Sequence, residues 1–265
     1  MANGLRSSKG PARSPFTLGP YQWNQAVVLN KPVIEGSDRY VLTENYNRLP
    51  HARATCDQEY TTEAARNASL DFESLGTSAA DGDIVHGTTV AGVQLETAGA
   101  DNDQVIILPH LNTGQTAWTD TLWGTENQVQ WEAVIKTNSA IATTLIWAGL
   151  KKTNTELIAT DADQVFFRYS TDDSDTTWRC IASIAGVDVN QDSGVTVEAS
   201  KIYYFRIEID SSRQAHFFIN NKEVYRSEAL TNDVDLIPYV GVMALDTAAI
   251  TIWLAKQKIS RYIYE

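Results

Sequence analysis

Along much of this chain apolar and polar residues alternate one by one. Val129, Trp131, Ala133 and Ile135 are interleaved with Gln128, Gln130, Glu132 and Lys136, which predicts a strand with one buried and one wet face. Tyr203, Phe205, Ile207 and Ile209 alternate in the same way with Tyr204, Arg206, Glu208 and Asp210. After the polar turn Ser211, Ser212, Arg213 the pattern resumes at Ala215, Phe217 and Ile219. Two such rows joined by a short polar turn predict a hairpin. Asn220 and Asn221 then lead into Glu223, Val224 and Tyr225, and asparagine tolerates the left-handed backbone of a tight turn, so a second hairpin follows. Shorter apolar runs at 69–73, 89–96, 104–108, 144–150, 164–169, 177–184, 239–244 and 250–264 are further strand candidates. About a dozen strands with no long helical period between them predict an all-β chain whose antiparallel sheets pack face to face as a β-sandwich.

The first fifty residues read differently. Pro11, Pro15, Pro20, Pro32 and Pro50 each fix φ and forbid a helix interior, so this stretch is predicted to be an extended N-terminal arm. Apolar segments at 23–29 and 40–42 interrupt it and read as strands seeking a surface. Segment 55–68, with Cys56, Glu59, Glu63, Ala64 and Ala65, offers at most a short helix with a weak apolar face. The expected organisation is therefore an arm and junction over residues 1–66 and a sandwich over 67–265.

Charge sharpens this division. The formal net charge is -12, yet every charge up to Lys31 is positive: Arg6, Lys9, Arg13 and Lys31. The acidic body is expected to repel nucleic acid and membrane surfaces, whereas the basic tail suits an acidic patch on a protein partner. Four spread cations are too few for a DNA-binding arm. No run approaches the roughly 18 apolar residues of a membrane helix, and the start, Met1 to Arg6, lacks a secretory core. Cys56 and Cys180 have no CxxC partner and are expected to be free thiols in a reducing cytoplasm.

The rows 203–210, 215–224 and 239–242 resemble the back half of concanavalin A-like lectin/glucanase jelly rolls. Segment 103–110, with Trp118, the run Trp123, Gly124, Thr125, Glu126, Asn127, and then Trp131 and Glu132, is similar to domains of this type in structural proteins of tailed bacteriophages, notably marine ones. The likeness covers residues 67–265. It implies a concanavalin A-like jelly roll and a place in the virion, assembled in the host cytoplasm.

Glucanases of this fold carry an E-x-D-x-x-E strand, and Glu208 and Asp210 match its first two acids. The third position is Arg213, and retaining hydrolysis needs two carboxylates about 5 Å apart, normally aided by a third acid. Arg206 shares the face and can pair with them, so a solvated strand face is expected and an enzyme is not. His51, His86, His110 and His216 stand singly, without zinc-ligand spacing. No phosphate loop and no GxSxG elbow is present. Lectins of the legume type bind calcium, and Asp161, Asp163 and the run Asp172, Asp173, Asp175 offer oxygen ligands. Neither stretch has the glycine and closing glutamate of an EF-hand, so solvated acidic loops and no cofactor are expected, with calcium the alternative.

Trp131, Trp147 and Trp178 fall in strand patterns and are expected in the core. Trp118 and Trp123 sit among Thr, Gly and Asn, where packing over the sandwich end, a protein interface and a sugar platform all remain open. The expected role is a non-enzymatic virion structural protein, most simply a capsid decoration or cement protein whose arm lies across neighbouring subunits. Its partners would be the major capsid protein or tail proteins and further copies of itself. A tail fibre, spike or adaptor protein, or a glycan-binding lectin for host attachment, is the alternative. The expected interface residues are Arg6, Lys9, Arg13, Tyr21, Trp23, Val27 and Leu29 in the arm, with Trp118 and Trp123 in the body.

Overall fold

The computed structural model describes residues 39–46, 71–79, 83–87, 90–109, 116–153 and 161–263. Alternating and continuous apolar rows become strands in chain order: β1 (Arg39–Glu44), β2 (Phe72–Leu75), β3 (Asp83–His86), β4 (Val93–Glu96), β5 (Gln104–Pro109), β6 (Gln130–Lys136), β7 (Thr144–Lys151) and β8 (Gln164–Ser170). They continue as β9 (Thr177–Ile184), β10 (Val187–Thr196), β11 (Ile202–Ile209), β12 (Gln214–Ile219), β13 (Lys222–Ala229), β14 (Ile237–Ala244) and β15 (Thr251–Tyr262). A one-turn helix, α1 (Ala117–Asp120), lies between β5 and β6. Among the described residues no helix is long and apolar enough to cross a membrane.

Two compact units are distinguished, Met1–Val41 with Tyr262–Glu265, and Leu42–Arg261. In the first, the Arg39 guanidinium lies 4.7 Å from the centre of the Tyr262 ring. The second holds two antiparallel sheets packed as a sandwich. The larger has the order β13-β12-β11-β6-β15-β4-β3, with β1 also pairing β15; the smaller runs β10-β9-β8-β7-β14-β5-β2.

Between the sheets the predicted inward rows meet. Trp131, Ala133 and Ile135 of β6, Tyr203, Phe205 and Ile207 of β11, and Ala215 and Phe217 of β12 are buried. They face Phe167 of β8 and Trp178 of β9, whose rings lie 4.6 Å and 4.7 Å from that of Phe205. Close aromatic pairing adds stabilisation beyond the area removed from water. The turn at Asn220 and Asn221 takes left-handed φ of 52° and 66°, as its sequence predicts.

The middle of the smaller sheet is apolar on both faces. β5 and β7 are buried at every position, which is how a continuous apolar run differs from an alternating one. Its outward row, including Ile106, Leu108, Trp147, Phe166, Ile181 and Tyr239, forms a buried cluster of its own. Gly241 makes room there, since a Cβ would come within 2.9 Å of Ile106 and 3.2 Å of the Trp147 ring.

Three features depart from expectation. Segment 40–42, read as a strand, falls within β1, but Tyr46, also assigned to the arm, is buried. The four-residue β3 lies outside the predicted strands. So does β10, because its residues are exposed almost throughout and carry no inward apolar row. It follows β9 through a tight turn at Ala185 and Gly186, with φ of 51° and 82°. The predicted helix at 55–68 and the apolar segment 23–29 lie outside the described residues.

The Tyr239 hydroxyl is buried with no hydrogen-bond partner among the described residues. Burial, helped by the charge of Asp161, pushes it well above its ordinary pKa of 10.0. A phenol raised in this way stabilises the fold fully below pH 10.0 and loses that contribution as pH rises toward the folded value. Tyr239→Phe removes an unsatisfied polar group, whose burial costs about 1–3 kcal/mol. It is expected to match or exceed the parent in urea unfolding at neutral pH, and to lose stability less steeply above pH 10.0. A loss of stability at neutral pH would mean that the hydroxyl has a partner.

Candidate functional site

The outward rows of the larger sheet line a small recess. Strand register aligns Phe218, Arg206, Glu132 and Lys258 across β12, β11, β6 and β15. The next row holds Tyr204, Val134 and Lys256. Lys256 points outward only because β15 shifts register between Leu254 and Lys256, a bulge that moves every later side chain to the opposite face. Glu132, Val134, Tyr204, Arg206, Asn221 and Lys256 line a recess of about 200 Å³. Beside it Tyr204 and Ile202 are 56% and 48% exposed.

Charges on this face are mutually engaged. Lys258 Nζ lies 2.9 Å from Glu132 Oε1, to which Gln130 Nε2 also donates at 2.8 Å. Arg206 meets Glu208 at 3.3 Å, as expected, and its guanidinium lies 4.0 Å from the Phe218 ring centre. Asp210 is partly exposed and also bound: its Oδ1 accepts from the backbone N–H of Ser212 at 2.8 Å and of Gln214 at 2.9 Å, closing the β11–β12 turn. Burial alone would raise the Asp210 pKa, but these bonds and His216 hold it below the usual carboxylate value. Glu208 and Asp210 are therefore bound to a guanidinium and a turn rather than presented as an acid and a nucleophile.

Register also brings together what sequence spacing hid. His216 stands between Asp210, 3.1 Å from its Nε2, and Glu223, 3.0 Å from its Nδ1. The two ring nitrogens point in opposite directions, so these carboxylates cannot converge with the ring on one ion. Among the described residues no group of three or more His, Cys, Asp or Glu is placed to hold a metal.

The first acidic segment corrects the expectation of a solvated loop, whereas Asp172 and Asp173 in the second are exposed as expected. Asp161 and Asp163 are buried. Asp161 accepts from the Thr153 N–H at 2.9 Å and its hydroxyl at 2.6 Å, with Lys151 Nζ at 3.9 Å. Burial lowers the Lys151 pKa and Asp161 opposes that shift. Asp163 accepts from Ala185 N–H at 3.1 Å and from the Thr231 hydroxyl. Asp175 accepts from Ser170 N–H at 3.0 Å and pairs with Arg168 at 3.3 Å. These oxygens close turns between strands.

Trp118 and Trp123, offered as interface residues, are also corrected: they are 5% and 1% exposed and pack within the chain. Thr116 caps α1 by accepting from Trp118 N–H, the Trp118 ring lies tilted against that of Phe72 with centres 5.0 Å apart, and Trp123 Nε1 donates to the Trp118 carbonyl at 2.8 Å. Trp131, Trp147 and Trp178 are buried as expected. So is Cys180, a free thiol whose pKa burial pushes up. Arg6, Lys9, Arg13, Tyr21, Trp23, Val27, Leu29, Cys56, His51 and His110 lie outside the described residues.

No family model and no curated relative matches the chain. Solved structures do. A protein of unknown function from Shewanella oneidensis MR-1 aligns over 94% of this chain and 96% of its own, with TM-score 0.58 and 10% identity. The carbohydrate recognition domain of Emp46p, in a point-mutant form, aligns over 82% and 97%, with TM-score 0.52 and 7% identity. A family 7 alginate lyase reaches 14% identity at TM-score 0.49 over 68% and 83%, too weak a likeness to bear on activity. At these identities the comparisons bear on the fold alone, an antiparallel β-sandwich.

Proposed function

We propose that this chain is a non-enzymatic structural component of a tailed-phage virion, acting as a capsid decoration protein. In this reading the outer face of the larger sheet is its contact with the particle. The observation that carries the binding role is the exposure of Tyr204 and Ile202 beside a recess edged by Arg206, Asn221 and Lys256. Exposed aromatics next to a guanidinium are the composition of interface anchors. The virion context is supported by the resemblance of segments 103–110 and 123–132 to phage structural domains. The arm, through Arg6, Lys9, Arg13 and Trp23, supplies the second contact.

The test is an image of the purified particle together with the incorporation of Tyr204→Ala. Density for the sandwich on the shell, and incorporation reduced on the order of 30-fold, are expected for an anchor worth about 2 kcal/mol. Full occupancy of the shell by the variant, or absence of the protein from the particle, overturns the proposal. A second reading, glycan attachment, is favoured by the composition of the recess, with a ring, an amide and a guanidinium at its rim. A glycan array on the full chain separates the two, since specific sugar binding lost in Tyr204→Ala would favour the lectin.

A further inference from the structure

We propose that the free edge of β10 is the docking site for residues 21–29 of a second copy of this chain, which adds to the smaller sheet as a further strand. This deepens the assembly role proposed above by naming a partner surface, and it concerns the purified chain whatever particle it serves.

Five strands border open edges among the described residues: β13, β3 and the six-residue β1, which begins on Arg39 and ends on Glu44, in the larger sheet, and β10 and β2 in the smaller. Open edges invite pairing with other chains, and proteins blunt them with short length, lysine, proline or bulges. β2 and β3 are four residues each. β13 begins on Lys222, carries Arg226, and shifts register twice against β12. β10 is ten residues long, has neither lysine nor proline, and pairs regularly with β9 over residues 187–192 before its one irregularity. Among the described residues nothing pairs with its other side. Val187 and Val189 project from it, 67% and 36% exposed. Register with Ile184 and Ala182 puts both on the β9 face that carries buried Ala182 and Cys180. An added strand with its own apolar row would cover them.

The chain supplies such a strand. Alternation over residues 21–29 puts Tyr21, Trp23, Gln25, Val27 and Leu29 on one face, with no proline inside the segment. Strand addition satisfies the backbone of both partners while alternate side chains fill apolar contacts. Charge complements shape. The arm up to Lys31 carries only Arg6, Lys9, Arg13 and Lys31, whereas between residues 171 and 200 Asp172, Asp173, Asp175, Asp188, Asp192 and Glu198 face a single basic residue, Arg179.

Sedimentation velocity on the full chain over a concentration series tests this, with two variants. Val189→Lys blocks the edge and Trp23→Ala cripples the arm. The parent is expected to self-associate, less tightly as salt rises, and each variant to associate on the order of 30-fold more weakly. An equimolar mixture of the two is expected to regain a dimer, because the first keeps an intact arm and the second an intact edge. Val187→Lys serves as a second edge variant, and unchanged unfolding midpoints show that both fold. A monomeric parent, parent-like association of a folded edge variant, parent-like association of Trp23→Ala, or a mixture that stays monomeric overturns the proposal. None of these outcomes touches the Tyr204 test, so the two readings fail separately.

Discussion

Trp178→Ala is expected to destabilise the fold by about 3–5 kcal/mol, the cost of emptying a large site between two sheets that cannot collapse onto each other. The indole is fully buried, with ring centres of Phe205, Tyr203 and Tyr169 at 4.7, 5.3 and 6.1 Å. It is thus held by β11 of the opposite sheet and by β8 beside it. Its Nε1 makes no well-formed hydrogen bond among the described residues, although it lies close enough to the Tyr203 hydroxyl to lower that group's pKa, so its stabilisation is mainly packing. Trp178→Phe keeps most of the ring and discards that N–H, and is expected to lose less than half as much. Urea unfolding with an unchanged denaturant slope is the measurement. An alanine variant within about 1 kcal/mol of the parent would mean that the cavity refills and that the sheets are not rigidly spaced.

That rigidity matters for the surface readings. Tyr204 lies on the same strand as Tyr203 and Phe205, pointing the opposite way, so the exposed face is held in place by the row behind it. A variant at Tyr204 leaves the packing of Trp178 untouched, and loss of binding without loss of stability is the signature that separates an anchor from a core residue.

The sequence made the half-buried strands plain. In β6, β11 and β12 each inward residue sits two after the last, and the burial pattern follows without exception. The runs that became β5 and β7 were recognisable as strands, but not as strands buried on both faces, because an unbroken apolar run carries no phase. β10 was invisible for the opposite reason: an exposed edge strand is held by backbone pairing, and backbone pairing leaves no mark on side-chain pattern. Trp118 and Trp123 stood among loop residues, and only the cap at Thr116 and the bond between the two indole segments fold them inward. Asp161 and Asp163 looked solvated because acidic residues usually are, and the turn N–H groups they accept from come from Thr153 and Ala185. Asp210, His216 and Glu223 met through the register of two hairpins, which sequence spacing alone does not give.

The least legible feature joins residues from both ends of the chain, and its disruption is the second large effect. Trp131 Nε1 donates to Gln257 Oε1 at 3.2 Å, and Gln257 Nε2 donates to the Tyr46 hydroxyl at 2.7 Å. All three side chains are buried. Simple alternation from Ile252 and Leu254 would turn Lys256 inward and Gln257 outward, and the β15 bulge reverses both. One irregularity therefore sets the core amide and delivers Lys256 to the outer recess. Gln257→Leu keeps the volume and strands the indole N–H and the phenol, each at about 1–3 kcal/mol, so a net loss on the order of 3 kcal/mol is expected after the gain from an apolar side chain. Burial and the charge of Glu44 already raise the Tyr46 pKa while Gln257 lowers it, so losing the amide should push it higher still. Adding Tyr46→Phe to Gln257→Leu removes one stranded group, and the double variant should be more stable than the sum of the two single losses predicts, by a coupling of roughly 0.5–3 kcal/mol. Strict additivity in that cycle, measured by urea unfolding at neutral pH, would show that Tyr46 does not depend on Gln257 and that its link to β6 and β15 is not made through this amide.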